Sequence, residues 1–238
     1  MTQEERKRRS REEIYRVALE EFGTYGYEKT TMERICTRHN ISKGMMYHYY
    51  ANRDQLYLHC VERTFGDLKA YLEQAVEREM AGPAGENPVE TIQGYFLLRE
   101  TYFRDRPLRK GIFEEALFRP PKHLTDQILA LRAPVRQVNL RFLRWLMEGA
   151  RLRPGLTRDR AVRYLEGMEA VFRAAADNWS GTEAHPDLHT LLERAGELAD
   201  LILFGVFRQP PEPVLPGEEA PAPSAGTIKE NKEQEPIC

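Results

Sequence analysis

Polar, basic and aromatic side chains crowd residues 42–50, close to the amino terminus. If this segment is helical, Met46 and Tyr50 lie four positions apart on one face, which we expect to be buried. The opposite face and its flank then carry Lys43, Gly44, Met45, Tyr47, His48 and Tyr49. The ammonium, phenol and imidazole groups of that face can donate hydrogen bonds to phosphate oxygens, and the lysine can also donate to a guanine edge. The pattern therefore favours contact with a nucleic acid.

Residues at the borders of this segment have roles of their own. Ser42 has the side chain of a good helix cap, so we expect a helix to begin directly after it. Gly44 lets the backbone approach a groove wall, and Met45 can pack on a thymine methyl group. Arg53 lies at the start of the next predicted helix, where it can bind the phosphate strand alongside.

A first helix must support this segment. Its buried face is predicted by apolar residues that recur at spacings of three and four. These residues are Ile14, Val17, Ala18 and Phe22. The helix should end near Gly26, because glycine accepts the positive φ of many helix ends.

A second, short helix is expected to begin at Thr30. Thr30-Thr31-Met32-Glu33 has the spacing of a capping box, in which the threonine hydroxyl accepts from the Glu33 amide and the carboxylate reaches back. The expected buried residues are Met32, Ile35 and Cys36. Asn40 tolerates positive φ and should end this helix. Two short helices joined in this way form a helix-turn-helix, whose second helix enters the major groove of DNA.

A basic run lies upstream of these elements. It consists of Arg6, Lys7, Arg8, Arg9 and Arg11. We predict an arm that lies along phosphates or enters the adjacent minor groove, with a solvated charge run as the alternative. Residues 1–53 hold 11 Lys+Arg against 8 Asp+Glu, whereas residues 209–238 hold 2 against 6. This asymmetry predicts a basic, nucleic-acid-binding end and an acidic tail.

The composition and the spacing of apolar residues indicate the class of protein. Its 238 residues are 41% hydrophobic and 30% charged, which fits one globular body with a small appended module. Apolar residues recur at three and four, so the predicted fold class is all-α with about nine helices. No apolar run reaches the ~18 residues of a membrane span, and the widely spaced cysteines favour reduced thiols in a cytoplasm. The proline-rich residues 209–238 are predicted to form a flexible tail.

The amino-terminal pattern resembles the DNA-binding domain of the TetR/AcrR family of transcriptional regulators. The matching residues are Phe22-Gly23, Gly26-Tyr27, Thr30-Thr31, Ile35-Cys36, Ile41-Ser42-Lys43-Gly44, Tyr47-His48-Tyr49-Tyr50 and Asn52-Arg53-Asp54-Gln55-Leu56-Tyr57. Cys36 stands where the family usually has alanine, and Asn40 stands where it usually has glycine. The resemblance implies DNA contacts by Thr31, Lys43, Gly44, Met45, Tyr47, His48, Tyr49 and Arg53.

The same resemblance implies the organisation of the whole chain. Residues 1–52 would form the DNA-binding domain with its basic arm, residues 53–208 a helical effector-binding and dimerisation domain, and residues 209–238 the tail. A long fourth helix, from Arg53 to Met80, would join the two domains. Candidates for lining a mostly apolar effector pocket are Tyr95, Tyr102, Phe113, Phe118, Phe142, Trp145 and Phe172. Taken singly, each of these side chains fits ordinary core better than pocket lining.

Two apolar stripes towards the carboxyl end are candidates for a dimer interface. Their residues are Ala161, Leu165, Met168, Phe172, Leu188, Leu191, Ala195, Leu198 and Ile202. The spacing suits helix packing, which could occur within the chain. The resemblance favours the other interpretation, a symmetric four-helix bundle between two subunits.

The function implied by the resemblance is ligand-responsive, sequence-specific DNA binding. The usual outcome would be a repressor that a small, largely apolar effector releases from a pseudo-palindromic operator. One alternative is control by a protein partner or by oxidation of Cys36, whose predicted burial argues against a reactive thiol. A helical enzyme is the weaker alternative, because no Walker, GxGxxG, GxSxG or HExxH motif is present. We expect no catalytic residues, no metal site and no cofactor.

Overall fold

The computed structural model describes residues 2–82, 88–150, 152 and 154–167. Within them the chain is built from helices and contains no β-strand, which confirms the predicted all-α class. The α-helices are α1 (Gln3–Tyr25), α2 (Met32–His39), α3 (Lys43–Tyr49), α4 (Arg53–Met80), α5 (Pro88–Phe103), α6 (Pro107–Phe118) and α7 (Thr125–Gly149). A 3₁₀ turn, Lys122–Leu124, leads into α7, and residues 158–167 are also helical. No helix in these ranges is long and apolar enough to cross a membrane.

Several predictions lie outside the described residues. They concern the tail, residues 209–238, and the larger part of the candidate dimer interface, namely Met168, Phe172, Leu188, Leu191, Ala195, Leu198 and Ile202. The total of about nine helices therefore stays a prediction.

Side-chain caps fix where the first four helices begin. Thr2 and Glu5 form a capping box at the start of α1. Ser42 accepts from the Met45 amide at 3.1 Å at the start of α3. Asn52 caps α4 in the same way, through a bond from the amide of the third helical residue. These caps satisfy amides that have no partner inside their helices.

The predicted start of α2 is wrong by two residues. The helix begins at Met32, and its cap is Thr31, whose hydroxyl accepts from the Arg34 amide at 3.1 Å. Thr30 is buried instead, and its hydroxyl donates to the Glu21 carbonyl oxygen at 3.2 Å. A tertiary contact with α1 thus takes the hydroxyl that the local pattern assigned to a cap.

The basic run is not an extended arm. Arg6, Arg8 and Arg9 are exposed residues of α1, because the capping box at Thr2 starts that helix upstream of them. Their charges are consequently spread around the first turns of a helix.

The long fourth helix is confirmed with the bounds that were predicted, Arg53–Met80. It packs along α7 and against α1 and α6, and it buries Leu68, Leu72 and Val76 in one stripe. Its first turn contacts the amino-terminal helices and its last turns reach the body of the protein, so one rigid element connects the two parts.

Helices α1 and α6 cross at backbone contact. A β-carbon on Gly111 would lie 2.3 Å from the Gly23 carbonyl oxygen, and one on Gly23 would lie 2.4 Å from the Leu108 carbonyl oxygen. Neither position has space for a side chain. The two glycines therefore permit α6 to lie directly on the end of α1.

Glu115 of α6 stabilises this helix crossing through hydrogen bonds. Its two carboxylate oxygens accept from the Tyr27 amide at 2.9 and 3.1 Å. Gly26, with φ +76°, turns the chain there, and a β-carbon on it would lie 2.9 Å from Glu115 Oε1. Burial raises the pKa of the Glu115 carboxyl, and the bond from the Tyr27 amide acts in the opposite direction. Glu115 thus holds the first three helices against the body through a backbone group.

We expect Gly111→Ala to lower the free energy of unfolding by roughly 1–3 kcal/mol, because its methyl group would collide with backbone that cannot rotate away. Gly66→Ala is the matched control, since Gly66 lies in α4 with open space around it. That control should gain roughly 0.5–1 kcal/mol from the better helix propensity of alanine. Urea unfolding followed by circular dichroism measures both, and equal stabilisation of the two variants would contradict the close crossing.

Candidate nucleic-acid interface

Helix α3 has one buried and one exposed face, as predicted. Met46 is 0% exposed and Tyr50, directly after the helix, is 2% exposed. Tyr47 is 54% exposed, and Lys43, Gly44 and His48 are exposed beside it. Met45 and Tyr49 are half-buried and pack against the core from the flanks. The exposed face therefore presents an ammonium, a phenol and an imidazole together.

The turn between α2 and α3 has the predicted geometry. Asn40 adopts the left-handed conformation, with φ 54° and ψ 37°. Ile41 is buried, and its amide donates to the Cys36 carbonyl oxygen at 3.0 Å. Ser42 then caps α3. This tight turn fixes the angle between the two short helices, which form a helix-turn-helix.

A buried carboxylate fixes α2 to α1. Glu21 is 0% exposed and binds Arg34 Nε at 2.7 Å, Arg38 at 3.1 Å and His39 Nε2 at 3.1 Å. The Arg34 and Arg38 guanidinium groups also lie over the Tyr25 ring, at 4.0 and 5.2 Å from its centre. A buried charge needs such partners, because without them it would be an uncompensated ion.

An exposed ion pair joins α2 to α3. Lys43 Nζ lies 2.6 Å from Glu33 Oε1, and both side chains are largely exposed. Their hydrogen bond and mutual attraction raise the pKa of the Lys43 ammonium and lower the pKa of the Glu33 carboxyl. The lysine that leads the exposed face of α3 is therefore already paired with an acidic residue.

Arg53 is bound within the amino-terminal part of the protein. Its guanidinium lies 3.9 Å from the centre of the Tyr27 ring and donates to the carbonyl oxygens of Tyr27 and Thr30 at 3.3 and 3.2 Å. Arg53 thus ties the start of α4 to the segment between α1 and α2. Sequence analysis did not predict this role, and the contact of Arg53 with phosphate stays a prediction.

The remaining predicted DNA contacts are distributed unevenly. Thr31 is exposed at the start of α2, and its hydroxyl caps that helix. Arg6, Arg8 and Arg9 are exposed at the other end of α1 from α2. The structure therefore brings the α3 residues together on one surface, whereas the basic run lies in the first turns of α1.

A cavity lies between α4, α5 and α7. Its volume is about 590 Å³, and Val76, Gly94, Tyr95, Leu98 and Phe142 line it together with charged residues of the rim. The Tyr95 and Phe142 rings are stacked with centres 4.0 Å apart. Tyr95 donates to Asn139 Oδ1 at 2.8 Å, and the same oxygen accepts from Arg99 at 2.7 Å. Tyr95 is therefore held in place by ring stacking and hydrogen bonds beside the apolar walls of the cavity, and mostly apolar walls are typical of small-molecule sites.

The structure separates the predicted pocket residues. Tyr95 and Phe142 line this cavity, whereas Trp145 lines a second groove of about 420 Å³ that also contains Arg141 and Arg144. Tyr102, Phe113 and Phe118 line neither of these two spaces. Phe113 packs against Phe65 and Phe103, with ring centres 5.3 and 4.8 Å apart.

The first residues of the candidate dimer interface contact their own chain. Ala161 is buried, Leu165 is half-buried, and both belong to the helical residues 158–167. Arg158 holds this segment to the end of α7 by donating to the Met147 carbonyl oxygen at 2.9 Å. Part of the first apolar stripe thus packs within the chain.

The cysteines and acidic residues of the described ranges form no further site. Cys36 and Cys60 are free and buried, and burial raises the pKa of both thiols. In these ranges no group of three His, Cys, Asp or Glu side chains is arranged to hold a metal ion.

Comparisons with known proteins agree with the helix-turn-helix geometry. The bacterial regulatory proteins of the tetR family match residues 14–60, which run from the middle of α1 to the first part of α4. Over 89 residues the chain is 32% identical to the HTH-type transcriptional regulator TcmR of Streptomyces glaucescens. This match spans 37% of the chain and 36% of that relative. Residues 14–60 are thus similar to the bacterial regulatory proteins of the tetR family.

Solved structures extend the similarity to the TetR fold as a whole. FadR of Thermus thermophilus, in complex with lauroyl-CoA, is 23% identical with a TM-score of 0.55, covering 85% of this chain and 98% of that one. FadR of Bacillus subtilis, in complex with stearoyl-CoA, is 14% identical with a TM-score of 0.55, covering 82% and 98%. At these identities the likeness concerns the fold alone.

The sequence pattern does not reveal every residue that shapes the surface of the helix-turn-helix. Glu33 was assigned to a cap, and the cluster around Glu21 was not foreseen. The local signal for that cluster is three basic residues on one short helix: Arg38 and His39 follow Arg34 by four and five positions. Such spacing places basic groups on a common side but does not identify their acidic partner on α1.

We expect Tyr47→Ala to weaken operator binding by roughly 5- to 150-fold, the loss of about 1–3 kcal/mol that a recognition contact contributes. Tyr164→Ala is the matched control, because that tyrosine is 58% exposed in the body of the protein. Both variants should keep the wild-type melting temperature. Fluorescence anisotropy with a labelled duplex measures the affinity, and equal affinities of the two variants would contradict a role of Tyr47 in DNA binding.

Proposed function

We propose that this chain is a ligand-responsive, sequence-specific DNA-binding transcriptional regulator, and that it acts as a repressor released from its operator by a small molecule. The observation that carries the proposal is the exposed polar face of α3 beside its buried Met46 and Tyr50. The proposed DNA contacts are made by Thr31, Ser42, Lys43, Gly44, Met45, Tyr47, His48 and Tyr49, with Arg6, Arg8, Arg9 and Arg53 on the phosphate backbone.

We assign the DNA-binding part to residues 1–52, the effector-binding and dimerisation part to residues 53–208 and the tail to residues 209–238. A symmetric dimer would present two α3 helices to successive major grooves, about 34–36 Å or a simple multiple apart. Such a dimer reads a pseudo-palindromic site, because its two-fold axis relates the half-sites.

We place the effector in the cavity between α4, α5 and α7. Its volume of about 590 Å³ lies within the range of small-molecule sites, and its walls are mainly apolar. The fold neighbours from Thermus thermophilus and Bacillus subtilis carry lauroyl-CoA and stearoyl-CoA. A molecule with a long apolar part is therefore the first class of effector to test.

Helix α4 supplies the connection between cavity and DNA. Its start is tied to the amino-terminal helices by Arg53, and Val76 near its end lines the cavity. An effector that prefers a state with a shifted α4 removes DNA affinity in proportion to its differential binding. A coupling of about 1–3 kcal/mol gives roughly 5- to 150-fold relief.

Control by a protein partner or by thiol oxidation is the second candidate. The burial of Cys36 and Cys60 and the raised pKa values of their thiols argue against oxidation, because the thiolate is the reactive form. A small molecule in the cavity remains the better supported signal.

Selection of genomic fragments by the purified protein tests the DNA-binding proposal. We expect a palindromic site that outcompetes bulk DNA, with an affinity that falls by about 10³–10⁵ between 50 and 200 mM salt for 6–10 phosphate contacts. Enrichment of no sequence, or an affinity that does not depend on salt, would overturn the proposal.

Filling the cavity tests the effector proposal. Gly94 lines the cavity with open space beside its Cα, so Gly94→Leu should occupy the site without disturbing the DNA-binding helices. Lauroyl-CoA is the probe: we expect it to release the wild type from its operator and to leave the variant bound. Gly66→Leu, at an open position of α4, is the control and should respond like the wild type. Release of both variants alike would place the effector elsewhere.

A further inference from the structure

An acidic residue lies beside the proposed DNA-reading surface, where a negative charge opposes phosphate binding. Glu33 belongs to the first turn of α2, and its carboxylate is 74% exposed. It pairs with Lys43 Nζ at 2.6 Å, so it joins α2 to the first residue of α3. The inference below rests on the proposed DNA-binding function.

The fold does not depend on this pair. The start of α2 is already capped by Thr31, and α2 is held to α1 by Glu21 with its three basic partners. An ion pair as exposed as that of Glu33 and Lys43 contributes little to stability. A negative charge in the first turn of a helix also suits the helix dipole, but this weak effect needs no partner on α3. The stability of the fold therefore does not account for the pairing of Glu33 with Lys43.

The pair does change what Lys43 can do near DNA. An unpaired ammonium on a flexible stem binds any phosphate within reach, and such contacts add affinity without sequence information. A carboxylate 2.6 Å from the ammonium competes with phosphate and repels it. A base edge at the floor of the groove carries no net charge, so it can accept from a lysine that keeps its carboxylate partner.

We propose that Glu33 is a specificity-determining residue, which withholds Lys43 from phosphates and directs its ammonium to a base edge. Glu33 lowers affinity for random duplex more than affinity for the operator. The ligand of this surface is double-stranded DNA. The group that distinguishes the operator from random DNA is the Glu33 carboxylate on α2, not a further hydrogen-bond donor on α3.

The test compares Glu33→Gln with the wild type on the selected operator and on a random duplex of equal length. We expect the affinity for the random duplex to rise roughly twofold to tenfold and the affinity for the operator to change less, so that the specificity ratio falls. The slope of log affinity against log salt on random DNA should steepen by about 0.9, the value for one added phosphate contact.

Two further variants separate this mechanism from a general charge effect. Asp126→Asn removes an exposed acidic residue from the first turn of α7, which is the equivalent helix position in the body. It should leave the specificity ratio unchanged. Adding Lys43→Gln to Glu33→Gln should abolish the gain on random DNA, because the freed ammonium is then absent.

Other outcomes decide against the inference. Equal gains on both duplexes, or a gain that persists without Lys43, would mean that Glu33 acts only as a local negative charge. A selective loss of operator binding in Glu33→Gln would mean that the carboxylate itself contacts a base. If the wild type prefers no duplex, the proposed function fails before any variant is compared, so the two failures are distinguishable.

Discussion

The contact between α1 and α6 determines how the amino-terminal helices can move relative to the rest of the protein. Backbone meets backbone at Gly23 and Gly111, and the Glu115 carboxylate binds the Tyr27 amide next to this crossing. Because a close backbone contact has no side chain to adapt, a displacement of α6 either carries the end of α1 with it or breaks the contact. The amino-terminal helices are therefore mechanically linked to the body.

Tyr27 extends this link to the start of α4. Its ring is covered by the Arg53 guanidinium at 3.9 Å, and its hydroxyl bonds to Asp54 and lies 3.2 Å from His123 Nε2. One tyrosine thus contacts the end of α1, the first turn of α4, α6 and the turn before α7. Burial raises the pKa of this phenol, with the Asp54 bond acting in the same direction, so it remains a neutral hydrogen-bond donor at physiological pH.

Features governed by neighbouring residues could be predicted from the sequence. The buried Met46 and Tyr50, the left-handed Asn40 and the full extent of α4 follow from helical spacing and from the few residues that accept positive φ. Features governed by distant partners could not. Thr30 looked like a cap because its hydroxyl had no visible competitor, and that competitor is a carbonyl of α1.

The cavity between α4, α5 and α7 shows the same limit of sequence-based prediction. Large aromatic residues were predicted to line it, but size and apolarity predict burial rather than the edge of an empty space. Tyr95 and Phe142 border the cavity, whereas Phe113 is equally apolar and fills the core between neighbouring rings. The other lining residues, such as Gly94 and Leu98, carry no chemical signal, and only the crossing of α4, α5 and α7 brings them together.

Under the proposed function, the energies inside the amino-terminal part decide what kind of motion an effector can cause. Leaving a buried charge such as Glu21 without any partner costs about 3–5 kcal/mol, which exceeds the 1–3 kcal/mol of a typical allosteric coupling. Glu21 has three basic partners and the turn at Asn40 is closed by backbone bonds, so the helix-turn-helix stays intact at such energies. An effector can therefore reposition α3 only by moving the three amino-terminal helices as one unit, through the contacts of Tyr27 with α4 and α6.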